Sequence, residues 1–164
     1  MMRAFPIAAC AGAAFLLAAC VNGAISLPTI ATDADNIATG LAAAAKDLRG
    51  ANILTTAQLV AVDDALSTVQ AAAAAVASAT STTAAQPEVA QLADAVNAMI
   101  GALAAVPSLP APVPEILAAA NVMLPVLESA VGLPAAATNA MAGMTQAAAE
   151  QVLATQAAAF RAGN

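Results

Sequence analysis

The strongest nucleophiles in this 164-residue chain are two thiols, and both lie within its first twenty residues. Cys20 follows Leu17, Ala18 and Ala19 at the end of a short apolar run, and Cys10 lies earlier in that run. The chain contains no histidine, so no imidazole is available to activate a thiol or a hydroxyl. We therefore expect no enzyme and no catalytic residue.

The N-terminal segment has the layout of a secretory signal. Arg3 supplies a positive charge, residues 4–17 are uncharged and mostly apolar, and small residues precede Cys20. The apolar run is too short for a comfortable membrane span. Its last four residues, Leu17-Ala18-Ala19-Cys20, resemble the lipobox of bacterial lipoproteins.

This resemblance covers residues 1–20 only, and it implies a specific maturation. Residues 1–19 would be the signal peptide, with Leu17, Ala18 and Ala19 recognised by the signal peptidase. A diacylglyceryl group would be attached to the Cys20 sulfur, the preceding bond cut, and the new amine acylated. Ile7-Ala8-Ala9-Cys10 has the same local form but leaves almost no apolar run in front of it. The alternatives are a secreted protein with an incidental cysteine and an uncleaved anchor helix.

The resemblance also favours a location. Val21 follows the cysteine where an aspartate would resemble an inner-membrane retention signal. If the cell has an outer membrane, the expected position is therefore its periplasmic face.

Charge and composition restrict the partners. The formal net charge is −6, and removal of Arg3 with the leader makes it −7. Such a chain cannot neutralise nucleic-acid phosphates or dock electrostatically on anionic lipids, so its membrane anchor has to be covalent. After cleavage only Cys20 remains, which excludes an internal disulfide. Residues 95–114 and 129–149 are uncharged, but proline, glycine and polar residues make them poor membrane spans.

The remaining polar clusters have simple structural interpretations. Asp33, Asp35 and Asn36 resemble the start of a calcium loop but lack its later ligands, so we expect a solvated helix start and no metal or cofactor. Asp63 and Asp64 are neighbours on a predicted helix and point about 100° apart, which prevents them from sharing a proton. Lys46 is expected to interact with a helix dipole.

Alanine-rich helical patterns predict an all-α fold, a small bundle of four to five helices. We expect residues 20–32 to be the lipidated cysteine and a flexible tether, whose fully extended length is at most ~40 Å. Residues 33–164 form the helical domain. A first helix is predicted over about 33–49, with apolar Ile37, Leu41, Ala44 and Leu48 and with Gly50 as its stop.

An antiparallel helical hairpin over about 55–106 is the clearest element. Thr55 and Gln58 form a capping box, with Leu54 and Leu59 as a hydrophobic staple. Pro87 is the predicted start of the second arm. Both arms carry apolar residues in steps of three and four, which predicts two seams: Leu59, Val62, Leu66, Val69, Ala73, Val76 and Thr80, and Val89, Leu92, Val96, Met99, Leu103 and Val106.

A proline-rich connector, residues 107–114, separates the hairpin from the rest of the chain. It could be a PxxP-type ligand, but a stiff crossover between helical pairs is the preferred interpretation. A fourth helix is predicted over about 114–131, kinked at Pro125 and ended by Gly132 and Pro134. Its seam would hold Leu117, Ala120, Leu124, Leu127 and Val131.

A last helix, about 135–161, is expected to be the most weakly held. Its predicted buried residues are Met141, Met144, Ala148, Val152 and Phe160.

Three functions fit these patterns. The first is a structural or interaction lipoprotein that associates with itself or with a helical partner. The second is a carrier of apolar ligands or lipids, with Met99, Met123, Met141 and Met144 lining an adaptable groove, although core filling is the commoner use of methionine. The third is a phage-type accessory lipoprotein involved in lysis or exclusion.

Overall fold

The structure, a computed structural model, describes residues 25–134 and 144–163. Within these ranges the chain forms five α-helices and no strands, which confirms the all-α prediction. The helices are α1 (Leu27–Ala51), α2 (Thr56–Ser78), α3 (Thr82–Leu103), α4 (Val113–Ala130) and α5 (Gln146–Ala162). α1, α2, α3 and α4 pack in a ring, and α5 lies against α1 and α4.

α1 is the centre of the bundle. Residues 40–45 are all buried, so the middle of α1 is covered on every side rather than along one stripe. The predicted apolar positions Ile37, Leu41, Ala44 and Leu48 are all buried, as expected. Small side chains make this possible, because a helix surrounded by neighbours has room for little more than alanine at its close contacts.

The start of α1 differs from the prediction. The helix begins at Leu27, so residues 27–32 are helical rather than part of a tether, and Ile30 is fully buried. Pro28 lies in the first turn, where the missing N–H costs nothing, and a proline at this place favours a helix start. The Thr32 hydroxyl also donates to the Pro28 carbonyl at 2.9 Å.

The end of α1 also corrects a prediction. Gly50 is inside the helix, and the chain leaves it at Asn52, whose φ of 51° and ψ of 37° are left-handed. Asparagine is one of the few residues other than glycine that adopts this conformation readily. The Asn52 N–H donates to the Arg49 carbonyl at 3.3 Å, which closes the helix.

The hairpin of α2 and α3 is present as predicted. The Thr55 hydroxyl accepts from the Gln58 N–H at 3.3 Å, and the Gln58 side chain accepts from the Thr55 N–H at 2.9 Å, which is the expected capping box. Most of the predicted seam positions are buried; Leu59 and Val106 are half-buried, and Thr80 is exposed beyond the end of α2. The arms are antiparallel, because only a short turn joins Ser78 to Thr82 and the two helices pack against each other.

α3 begins earlier than predicted. Ser81 is its N-cap, with the hydroxyl accepting from the Ala84 N–H at 3.1 Å, and Pro87 lies inside the helix. The serine cap sets the start of the helix one turn before the proline signal, although Pro87 cannot donate a hydrogen bond to the Thr83 carbonyl and its ring crowds that group. The connection between the two arms is therefore three residues long, 79–81.

α4 follows its prediction to within one residue. Leu117, Ala120, Leu124, Leu127 and Val131 are buried, and Pro125 lies inside the helix. At its end Gly132 has a φ of 83°, and the Leu133 N–H donates to the Glu128 carbonyl at 2.8 Å, which is a Schellman cap. The Gln86 side chain donates to the Val131 carbonyl at 2.6 Å, so the end of α4 lies beside the start of α3.

α5 begins after Thr145, inside the range predicted as one helix, and it buries a different face from the predicted one. It starts at Gln146, with Thr145 as its N-cap, and the predicted positions 135–143, including Met141, lie outside the described residues. The buried positions are Ala149, Leu153 and Ala157. Ala148 is exposed, whereas Met144, Val152 and Phe160 are half-buried. The buried face is therefore rotated by one residue from the prediction.

Two of the described helices, α2 and α4, are long and apolar enough to cross a membrane. Less than half of the apolar stretch of α2 and somewhat more than half of that of α4 is buried inside the bundle. Core helices of water-soluble proteins meet the same criterion, so this is weak evidence for a span. The uncharged stretch 95–114, which we expected to be a poor membrane span, is not one continuous helix, since α3 ends at Leu103 and α4 starts at Val113.

Candidate functional site

The predicted lipidation residue Cys20 and the recognition residues Leu17, Ala18 and Ala19 lie outside the described residues. The chain that follows Cys20 joins the bundle at residues 25–27, just before and at the start of α1. Ile25 and Leu27 are half-buried against the core, and Ile30 is fully buried. Only residues 21–26 therefore separate Cys20 from α1. Fully extended, six residues span about 20 Å, half of the length that a tether ending at residue 32 would have.

The entry of α1 is held by local hydrogen bonds. The Ser26 carbonyl accepts from the N–H groups of Thr29 and Ile30 at 2.9 and 3.0 Å. The hydroxyls of Ser26 and Thr29 also lie within hydrogen-bond distance, at 2.8 Å. Backbone hydrogen bonds therefore close the first turn of α1, the helix that runs through the centre of the domain.

A charged cluster lies where α5 packs against α1. Burial, and after it the negative charge of Glu150 on α5, together raise the pKa of the Asp33 carboxyl from 3.8 to about 6. The Gln146 side chain donates to the Glu150 carboxylate at 2.8 Å. The predicted role of Asp33 as a solvated residue at the helix start is wrong, since α1 starts six residues earlier and Asp33 is half-buried.

The other charged contacts of α5 are favourable. Arg161 forms an ion pair with Asp35 and donates to the Thr39 hydroxyl at 3.3 Å. The Lys46 ammonium lies 5.4 Å from the centroid of the Phe160 ring, a distance at which a cation is attracted to the aromatic face. Sequence reasoning missed these contacts, because nothing in the helical pattern shows which helices become neighbours.

Asp63 and Asp64 do not act as a carboxylate pair. Asp63 forms an ion pair with Arg49 across the turn between α1 and α2, and both side chains are about half exposed. Asp64 instead borders a shallow groove between α2 and α3, where Asp94, Thr68 and Gln91 are the other polar residues. Ala61, Ala65, Ala95 and Ala98 complete the groove. Among the described residues no group of three or more histidine, cysteine or acidic side chains could hold a metal ion.

The methionines that the structure describes are mainly core residues. Met99 and Met123 are at most 1% exposed and lie in the core, Met144 is half-buried, and Met141 is outside the described ranges. Glu128 on α4 is also buried, at 6% exposure, and no sequence pattern singled it out.

Comparison of the chain with protein-family models, with curated proteins and with solved structures finds no match.

Proposed function

We propose that this chain is an exported lipoprotein, anchored through lipid on Cys20, whose helical domain has a structural or interaction role rather than an enzymatic one. The observation that carries the proposal is the sequence Leu17-Ala18-Ala19-Cys20 at the end of a short apolar run that follows Arg3. The start of α1 at Leu27 is compatible with it, because six residues then join the proposed anchor to the helical domain.

Covalent lipid is sufficient to hold an acidic domain at a bilayer. Each buried methylene contributes about 0.8 kcal/mol, and two or three acyl chains together give stable anchoring where a single chain gives only marginal binding. The proposed location is the periplasmic face of the outer membrane in a cell that has one, because Val21 and not aspartate follows the cysteine.

The surface of the hairpin supports an interaction role. The groove between α2 and α3 has alanine on both walls, so another helix could approach its backbone closely. Ile53 and Val60, at the start of the hairpin, are 42% and 55% exposed. Light scattering after gel filtration of the detergent-solubilised protein tests self-association, and a monomer at all concentrations would leave only a heterologous partner.

The test of anchoring uses the two cysteines as a matched pair. Cys20→Ser should abolish lipidation, so that the protein no longer fractionates with membranes. Cys10→Ser should be processed and anchored like the unaltered chain, because it leaves Leu17-Ala18-Ala19-Cys20 intact. Membrane association that survives Cys20→Ser, or that is lost in Cys10→Ser, contradicts the proposal.

A further inference from the structure

The two ends of the bundle differ in charge. α1 and α3 each begin with six uncharged residues, up to Asp33 and Glu88. The starts of α1 and α3 lie at one end of the bundle, because α2 is antiparallel to both of these helices, and the α2–α3 turn is at this end too. The end of α4 also lies there, since the Gln86 side chain donates a hydrogen bond to the Val131 carbonyl. We call this the hydroxyl end; it comprises Ser26–Thr29, Ser78–Thr83 and Ser129–Pro134.

The hydroxyl end exposes alcohols and prolines. Among its exposed residues are Ser26, Pro28, Ser78, Thr80, Ser81, Thr82, Thr83, Ser129 and Pro134. Of the charged residues close to it along the chain, Glu128 is buried, and Asp33 and Glu88 are half-buried in the second turn of α1 and α3. The opposite end carries exposed Asp47, Arg49 and Glu115. The exposed residues of the hydroxyl end are therefore uncharged, although the domain as a whole is acidic.

The length of chain before α1 limits which surface can meet a bilayer. On the proposed function, the lipid on Cys20 fixes the membrane surface within about 20 Å of Leu27. α1 has 25 residues and is about 37 Å long, so the opposite end lies beyond the reach of the tether. The hydroxyl end and the long sides of the bundle remain within reach.

The distribution of charge indicates whether the hydroxyl end or a long side of the bundle faces the membrane. The sides carry acidic residues such as Asp35, Asp94 and Glu150, which anionic headgroups repel and which lose hydration on close approach. Neutral hydroxyls avoid the repulsion and can exchange hydrogen bonds with headgroup oxygens and water. We infer that the hydroxyl end is the surface that rests on the lipid headgroups, with the helices upright and the charged end directed away from the membrane.

The inference rests on the proposed lipidation, and the experiment separates the two. The full chain is purified from membranes with Thr80→Cys or Ala105→Cys, two exposed positions at opposite ends. Because Cys20 is lipidated, the introduced thiol is the only one free to take a nitroxide label. The labelled proteins are placed in phosphatidylethanolamine–phosphatidylglycerol vesicles that contain a nickel-chelating lipid, and the relaxation of the label by nickel is measured.

We expect strong relaxation at position 80 and several-fold weaker relaxation at position 105, because α3 separates them by roughly 30 Å. Equal relaxation at both positions would mean that the bundle lies flat, and stronger relaxation at 105 would mean that it is inverted; either result overturns the inference. A chain that carries no lipid and does not float with the vesicles contradicts the proposed function instead. Circular dichroism of both labelled variants confirms that the helices are intact.

Discussion

At the scale of single residues, two glycines in helices have opposite surroundings. A Cβ added at Gly40 would lie 3.2 Å from Cδ2 of Leu153 and 3.5 Å from Cγ2 of Ile116. A Cβ added at Gly101 would meet nothing within 4 Å. Gly40 therefore sits where α1, α4 and α5 approach one another, whereas Gly101 lies on an open surface of α3.

The same substitution should have different effects at these positions. Gly101→Ala should raise the free energy of unfolding by about 0.5–1 kcal/mol, since alanine loses less backbone entropy in a helix. Gly40→Ala has the same entropic advantage, but its new methyl group would crowd Leu153. The free energy of unfolding of this variant should therefore be unchanged or lower. Urea denaturation monitored by circular dichroism gives both values. Equal stabilisation by the two variants would contradict the close packing at Gly40.

The raised pKa of Asp33 predicts a pH dependence of stability. Because the pKa is 3.8 in the unfolded chain and about 6 in the fold, the folded state binds more protons between these values. The free energy of unfolding should therefore fall as the pH rises from 4 to 6, by at most about 3 kcal/mol from this group.

Two variants identify the source of this dependence. Asp33→Asn should remove it, and Glu150→Gln should reduce it, because the negative charge of Glu150 is the second cause of the shift. Urea denaturation at several pH values between 3.5 and 7 measures the slope. A slope that Asp33→Asn leaves unchanged would assign the effect to another carboxyl.

At the scale of helices, α5 has the smallest buried face. Leu153 is its only large fully buried side chain, and Ala149 and Ala157 are the other buried residues. An ion pair and a cation–π contact at exposed sites contribute little more, typically below about 1 kcal/mol each. α5 is therefore expected to open before the other helices do.

Leu153→Ala should detach α5 without unfolding the rest. Leucine-to-alanine changes in a core cost about 2–5 kcal/mol, more than such a small face can sustain. Hydrogen exchange followed by mass spectrometry should show faster exchange in residues 146–162 and unchanged exchange in α2 and α3. Val152→Ala, at the half-buried neighbouring position, is the control and should change little. Uniformly faster exchange in Leu153→Ala would show that α5 unfolds together with the bundle.

Local signals predicted some of these helices well and others poorly. The Thr55 capping box and the Gly132 stop were readable because their chemistry involves residues only a few positions apart. The start of α1 was misplaced because the acidic pair Asp33 and Asp35 suggested a helix start, whereas Pro28 is the actual start signal. The prediction of the buried face of α5 is wrong by one residue, because alanine lies on all sides of this helix and no side differs clearly in hydrophobicity. The close approach of α5 to Gly40 on α1 is what buries Leu153.

At the scale of the whole molecule, the closed arrangement of the helices could not be predicted. The hairpin follows from sequence, because its two seams are adjacent and of similar length. The central position of α1 depends on contacts with α2, α4 and α5, which no local pattern encodes. The charged cluster of Asp33 and Glu150 was missed for the same reason, and the anchor residues lie outside the part of the chain that the structure describes.

The whole proposal depends on Cys20 becoming the lipidated N-terminus of a helical domain that stays in water. Intact-mass spectrometry of the full chain purified from membranes measures this modification. We expect a protein that starts at residue 20 and carries the added mass of a diacylglyceryl group, with or without a further acyl chain. A membrane-bound protein that retains residues 1–19, or one that starts near residue 20 with an unmodified thiol, would contradict it.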